Sequence, residues 1–157
     1  MEIRLAKKEE VFQIEKMIFR AAKFLESKGI AQWERFAINS NINICKKDFK
    51  KKKLYILIDD SRQIVAAMSF GEAEEIDYKL WENCNNNYFI HRLVVNLDEM
   101  GNQYGKNLIN YAKEISKKNN KILRLNAVEN NSYLDSYYKE QGFKYVSKSL
   151  GYNLFEL

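Results

Sequence analysis

The chain has 157 residues, 46% hydrophobic, 13% aromatic and 30% charged, with six glycines, two cysteines, one histidine and no proline. A chain of this size buries roughly 68 to 70% of its unfolded surface and needs no disulfide or metal staple, and the lack of proline excludes proline-rich linkers and collagen-like repeats. The charged opening MEIRLAKKEE and the absence of any apolar run near the roughly 18 residues of a membrane span predict a cytoplasmic protein. Cys45 and Cys84 lie far apart and His91 stands alone, so no disulfide framework or zinc site is expected.

Ile3 and Leu5 predict a short first strand. Val11, Ile14, Ile18, Ala21, Ala22 and Leu25 recur at helical spacing, with Gly29 as the stop. Residues Ile30 to Trp33 read as an apolar connection, and a second helix is expected over Asn41 to Lys52. Its lysines 46, 47 and 50 to 53, with the net charge of +5, invite a nucleic-acid reading. They read better as a solvated helix end, because the stacking aromatics of a common RNA reader are missing.

Leu54 to Ile58 and Gln63 to Phe70 predict a hairpin around the turn Asp59 to Arg62. Glu72 to Asn87 reads as a polar loop with one helical turn near Tyr78 to Trp81, and Tyr88 to Val95 as a strong strand. A helix is expected from Gly101 to Asn120, a strand over Ile122 to Val128, and a helix over Ser132 to Gln141. Two last strands, Phe143 to Ser147 and Tyr152 to Phe155, flank Gly151. The order β-α-α-β-β-β-α-β-α-β-β predicts a single α/β domain over 1–157 with one mixed sheet flanked by helices. Its hairpin is antiparallel, and strands linked by helices are expected to pair in parallel.

The strand, loop and helix from Phe89 to Ile115 hold the most chemical information. Met100, Gly101, Asn102, Gln103, Tyr104, Gly105 and Lys106 lead a strand into a helix N-terminus, where unpartnered N–H groups and the macrodipole favour an anion. Two glycines there serve a tight turn equally well. Neither GxGxxG nor GxxxxGK[ST] occurs, which argues against Rossmann and P-loop sites.

Leu93-Val94-Val95, the loop Met100 to Gly105, Leu108, Asn131, and Tyr138-Lys139-Glu140-Gln141-Gly142-Phe143 together resemble the GNAT superfamily of acetyl-CoA-dependent N-acetyltransferases. The spacings match with Val95 and Leu108 as anchors, and the element order matches over essentially the whole chain. Met100 stands where the family has Gln or Arg, and Gln103 where Gly is usual. The resemblance implies a sheet splayed at its centre, with the pyrophosphate of acetyl-CoA on the Met100 to Lys106 loop. It also implies pantetheine amides paired along Leu93, Val94 and Val95, an N–H near Val95 for the developing oxyanion, and Asn131 on the cofactor arm. Tyr138 matches the general acid that protonates the departing thiolate.

An acceptor amine must also lose a proton, and His91, Glu72 and Glu129 are the candidate bases. Trp33, Tyr78 and Trp81 are candidates for an aromatic acceptor wall, with Glu74, Glu75 and Asp77 drawing in positive charge. The expected activity is transfer of an acetyl group from acetyl-CoA to a small-molecule or peptide amine, with no metal. Neither a membrane nor a nucleic acid is an expected partner, and a homodimer is compatible with the pattern. A noncatalytic acyl-CoA-binding regulator is the alternative, suggested by Met100 and Gln103, and a basic RNA-binding domain is the third.

Overall fold

The computed structural model describes residues 1–38 and 43–157. Its strands are β1 (Glu2–Leu5), β2 (Leu54–Ile58), β3 (Ile64–Gly71), β4 (Asn87–Val95), β5 (Ile122–Val128), β6 (Lys144–Ser149) and β7 (Tyr152–Glu156). Its helices are α1 (Val11–Ser27), α2 (Glu34–Ile38), α3 (Ile44–Lys50), α4 (Glu75–Leu80), α5 (Tyr104–Lys118) and α6 (Ser132–Glu140). The strands form a seven-stranded mixed sheet in the order β1-β2-β3-β4-β5-β7-β6. The described residues group into two compact units, Met1–Ser69 with Arg92–Leu108, and Phe70–His91 with Ile109–Leu157. Both β4 and α5 therefore contribute to each unit.

In the first unit α1 turns one apolar stripe inward, so Val11, Ile14, Met17, Ile18, Ala21 and Ala22 are buried, joined by Leu54, Ile56, Ile64, Ala67 and Val94. Each large aliphatic side chain so buried contributes roughly 1.5 to 3 kcal/mol. Gly29 ends the helix at φ +71°, where the Gly29 and Ile30 N–H groups donate to the Glu26 and Leu25 carbonyls at 3.0 Å each. That pair of bonds is a Schellman cap, which needs a left-handed residue. The antiparallel ladder of β1 with β2 runs from Glu2↔Ile58 to Leu5↔Tyr55, and β2 pairs antiparallel with β3.

The second unit is built on β5, whose alternate residues Leu123, Leu125 and Ala127 are buried. It pairs in parallel with β4 from Asn87↔Ile122 to Ile90↔Leu125, and antiparallel with β7. A cluster of Leu80, Trp81, Cys84, Phe89 and Leu154 fills its interior.

Several expectations need correction. The helix expected from Asn41 is described only from Ile44 to Lys50, with Asn41 and Ile42 outside the described residues. Helix α2 was not foreseen, since five residues are too few to show a period. The turn near Tyr78 is the six-residue α4. Helix α5 starts at Tyr104 rather than Gly101, because Gly101 and Gln103 sit at φ +93° and +59°. Strand β6 does not pair with β5 across α6, because β7 lies between them.

Candidate active site

Strand β4 has a left-handed residue at Arg92, φ +51°, a conformation that costs an L-residue roughly 1 to 2 kcal/mol and locally breaks the pleat. Arg92 is held there by Asp48 of α3, which accepts from Nε at 2.7 Å on Oδ2 and from Nη2 at 2.9 Å on Oδ1. Both side chains are almost fully buried, and this two-point geometry is the strongest form of a guanidinium–carboxylate pair. Lys46, Lys47, Lys50, Lys51 and Lys52 around Asp48 are exposed, so that part of the lysine run is a solvated helix end while its one acid folds inward. Beside the pair, burial first, and then the Asp48 and Glu15 carboxylates, push the Cys45 thiol up to about 12. Burial raises the Glu15 carboxyl too, and its Oε1 is buried without a partner among the described residues.

Past Val95 the first unit continues into the loop that precedes α5. The Asn96 N–H donates to the Val65 carbonyl at 2.8 Å, and Arg20 of α1 grips Asp98 with two bonds of 3.0 Å. This contact holds the Asp98 carboxyl below its ordinary value. Gly101 and Gln103 turn the backbone through the left-handed region, and the Gln103 carbonyl accepts from Asn107 N–H at 3.2 Å. Gln103 is thus the N-cap, and a helix supplies no internal acceptor for the N–H groups of Tyr104, Gly105 and Lys106. With Met100, Gly101, Asn102, Gln103 and Lys106 exposed, the donors, the macrodipole of a 15-residue helix and one free-standing cation fit an anionic diphosphate. Leu93 and Val95 are half-buried, while Val94 points into the core.

In the second unit Tyr138 is buried on α6, its ring 5.5 Å from Tyr137, 5.9 Å from Phe155 and 6.1 Å from Phe143. Burial, followed by the neighbouring Tyr137 and Tyr133, pushes its phenol well above the usual value, so it stays protonated across the physiological range. Asn131 is buried, and its side chain caps α6 by accepting from Leu134 N–H at 3.2 Å.

Of the candidate bases, Glu72 is exposed at the end of β3. Glu129 forms an ion pair with Lys148. His91 is half-buried and stacked on Phe89 at 6.1 Å, with Nε2 2.8 Å from Asp77 Oδ2. Asp77 itself is 0% exposed, a buried acid of α4 where a polar loop was expected. Its Oδ2 also accepts from Glu74 N–H at 2.7 Å, and its Oδ1 accepts from Asn126 Nδ2 at 2.7 Å. The chain of bonds ends on Trp81, whose Nε1 donates to Asn126 Oδ1 at 2.7 Å.

Trp81 is therefore a core residue, packed edge-on to Phe89 and covered by Arg124, and not an open aromatic wall. Tyr78, on the same helix, is 65% exposed. Trp33 belongs to the first unit, half-buried near Phe36. None of the expected site residues lines the cleft of about 520 Å³ beside β1, whose Arg4 and Glu10 pair with each other. Reading the sequence missed that the carboxylates of Glu15, Asp48 and Asp77 are buried. Asp48 was visible as the single acid on the apolar stripe of α3, whereas the only local mark on Asp77 is its capping contact with the Glu74 N–H, its side-chain partners lying 14 and 49 residues away.

Among the described residues no group of His, Cys, Asp and Glu could hold a metal ion, and no helix is long and apolar enough to cross a membrane. The mixed seven-stranded sheet flanked by helices, with β4 leading into the turn before α5, matches the fold of GNAT acetyltransferases. The model of the acetyltransferase (GNAT) family matches residues 9–143, and the chain belongs to that family. The structure is similar to an acetyltransferase of the GNAT family from Listeria monocytogenes, with a TM-score of 0.85 at 21% identity, over 99% of this chain and 93% of that one. It is also similar to the PaiA N-acetyltransferase of Thermoplasma acidophilum in complex with coenzyme A, with a TM-score of 0.78 at 19% identity over 99% and 96%. A ribosomal-protein-alanine N-acetyltransferase from Brucella melitensis gives a TM-score of 0.70 at 14% identity over 99% and 97%. No curated protein sequence matches the chain.

Proposed function

We propose that this chain transfers the acetyl group of acetyl-CoA directly to the nitrogen of a primary amine, working as one acyltransferase domain. The observation that carries the reading is the turn into α5, where left-handed Gly101 and Gln103 turn the chain into the first helical N–H groups. Gln103, Tyr104, Gly105 and Lys106 supply donors and a positive dipole end for a pyrophosphate. Met100, Gly101 and Asn102 shape the turn, and the β4 residues Leu93, Val94 and Val95 supply backbone groups for pantetheine amides. Acetyl-CoA brings the activated thioester. Tyr138 holds a proton that its buried phenol keeps and gives it to the departing sulfur, and Asn131 fixes the start of α6 beside it in sequence.

The acceptor amine arrives as a cation and passes a proton to a base for which His91, Glu72 and Glu129 are the candidates. Trp33 and Tyr78 stand as acceptor-side aromatics. Support for nitrogen as the acceptor comes from the PaiA and ribosomal-protein-alanine relatives, which are named as N-acetyltransferases.

The test is release of coenzyme A thiol from acetyl-CoA over a panel of small amines and N-terminal peptides. Turnover with at least one amine is expected. Tight coenzyme A binding without turnover would instead favour the regulator reading, which Met100 and Gln103 suggest, and neither binding nor turnover would remove both.

A further inference from the structure

We infer that His91 and Asp77 act as a dyad, with His91 Nδ1 taking the proton from the acceptor ammonium and Asp77 positioning the imidazole. The inference rests on the acetyltransferase reading above and deepens it by choosing one base. His91 is the first β4 residue beyond the last β4–β5 rung, Ile90↔Leu125, and Asn126 is the first β5 residue beyond it. Asp77 joins the two, accepting from His91 Nε2 on one oxygen and from Asn126 Nδ2 on the other. The carboxylate thus lies where the two strands stop pairing, held from below by the Glu74 N–H and from behind by the Trp81–Asn126 bond.

This network fixes the tautomer. Both Asp77 oxygens accept from N–H groups, and as a carboxylate Asp77 has no hydrogen to donate, which assigns the hydrogen between it and His91 to Nε2. In the neutral ring the lone pair then lies on Nδ1, which has no protein partner among the described residues. Stacking on Phe89 with an interplanar angle of 11° holds the ring plane. A base oriented by a buried carboxylate is the arrangement that catalysis by imidazole requires. The proton balance is simple: an ammonium N–H bond breaks, an Nδ1–H bond forms, and the imidazolium's added charge is faced by Asp77.

Of the other candidates, Glu129 is paired with Lys148 and Glu72 is exposed. The charged and titratable groups around the dyad are few. Asp77 and Glu74 come from the start of α4, the Cys84 thiol, raised mainly by burial and then by Asp77, from the following turn, and Arg124 from β5. Arg124 is paired with Glu156 at 2.7 Å and lies over Trp81. Asp77 is the group in direct contact with the imidazole.

The experiment follows kcat/KM against pH for the wild type, His91→Gln and Asp77→Asn, with any amine the wild type turns over. His91 is the only histidine, so ¹⁵N-histidine labelling gives a single imidazole whose tautomer and titration are read without activity. The expected spectrum has hydrogen on Nε2 and a bare Nδ1 in the neutral form, titrating with the acid limb of the wild-type profile. His91→Gln should lose that limb and fall about 10²-fold in kcat, with KM for acetyl-CoA unchanged. Asp77→Asn should lower kcat with KM for acetyl-CoA unchanged, and its neutral imidazole should no longer hold its hydrogen on Nε2 alone, because the acceptor-only carboxylate that selects that tautomer is gone. A wild-type pH profile in His91→Gln, or neutral His91 carrying its hydrogen on Nδ1, overturns the dyad while the acetyltransferase reading stands. Should Asp77→Asn fail to fold, the wild-type spectrum and His91→Gln decide alone. Absence of wild-type turnover with every amine overturns the parent reading and the base role with it.

Discussion

Two neighbouring residues of β4 are held in the same way for different ends. Arg92, in the first unit, is gripped by Asp48 from the seven-residue α3, while His91, in the second, is gripped by Asp77 from the six-residue α4. Each carboxylate is buried and reaches its partner at 2.7 to 2.9 Å. The cations differ, and that decides the outcome. A guanidinium never gives up its proton in a protein, so Asp48 and Arg92 make a fixed lock on a left-handed backbone residue. An imidazole can both accept and release a proton, so in the proposed dyad the same carboxylate grip holds a proton acceptor in one orientation. A short helix ahead of a strand can thus set either shape or chemistry, according to the residue it meets.

The comparison breaks first at Asp48. Asp48→Ala removes the carboxylate that pairs with a buried guanidinium, and removing one partner of such a pair costs about 3 to 5 kcal/mol. A urea melt showing a loss below 1 kcal/mol would mean that Arg92 finds another partner and that the lock is not as drawn.

Tyr138→Phe probes the second unit, where chemistry rather than stability should respond. A fall of roughly 10² in kcat is expected when thiol departure limits the rate, with the unfolding midpoint little changed because the ring packing on Phe143 and Phe155 remains. Wild-type turnover in this variant would remove the acid role.

The smallest effect belongs to Glu15, a buried carboxylate of the first unit without the cation that Asp48 enjoys. Its native carboxyl is raised above 4.5, mainly by burial, so the ionised form disfavours folding at neutral pH. As pH falls through the native value toward 4.5, the wild type regains that stability. Glu15→Gln should therefore be the more stable protein at pH 7, with the difference closing by about pH 4.5. A pH-independent difference would place the cause in packing.

Periodicity carried most of the fold. Strand β5 lies where its alternation placed it, Ile122–Val128, and α1 buries the stripe read from spacing. What periodicity could not show were the five- and six-residue helices α2 and α4, too short to display a repeat, and the pairing of β5 with β7, which depends on a return of the chain from 24 to 32 residues later in sequence. The site was legible in the same proportion. The anion loop and Tyr138 are local motifs, whereas the Asp77–His91–Asn126 network joins three distant segments. Among Glu74, Glu75 and Asp77, only folding selects the acid that turns inward. The start of α5 shows the converse, since the position where the family resemblance implies glycine holds Gln103, in a left-handed conformation that favours glycine.

The central claim is acetyl transfer to nitrogen on this chain, and the most direct measurement is thiol release from acetyl-CoA in the presence of the amine panel, with the acetylated product identified by mass. Stoichiometric thiol and N-acetylated amine are predicted for at least one acceptor. Binding of acetyl-CoA with no thiol release above hydrolysis for any amine would contradict it.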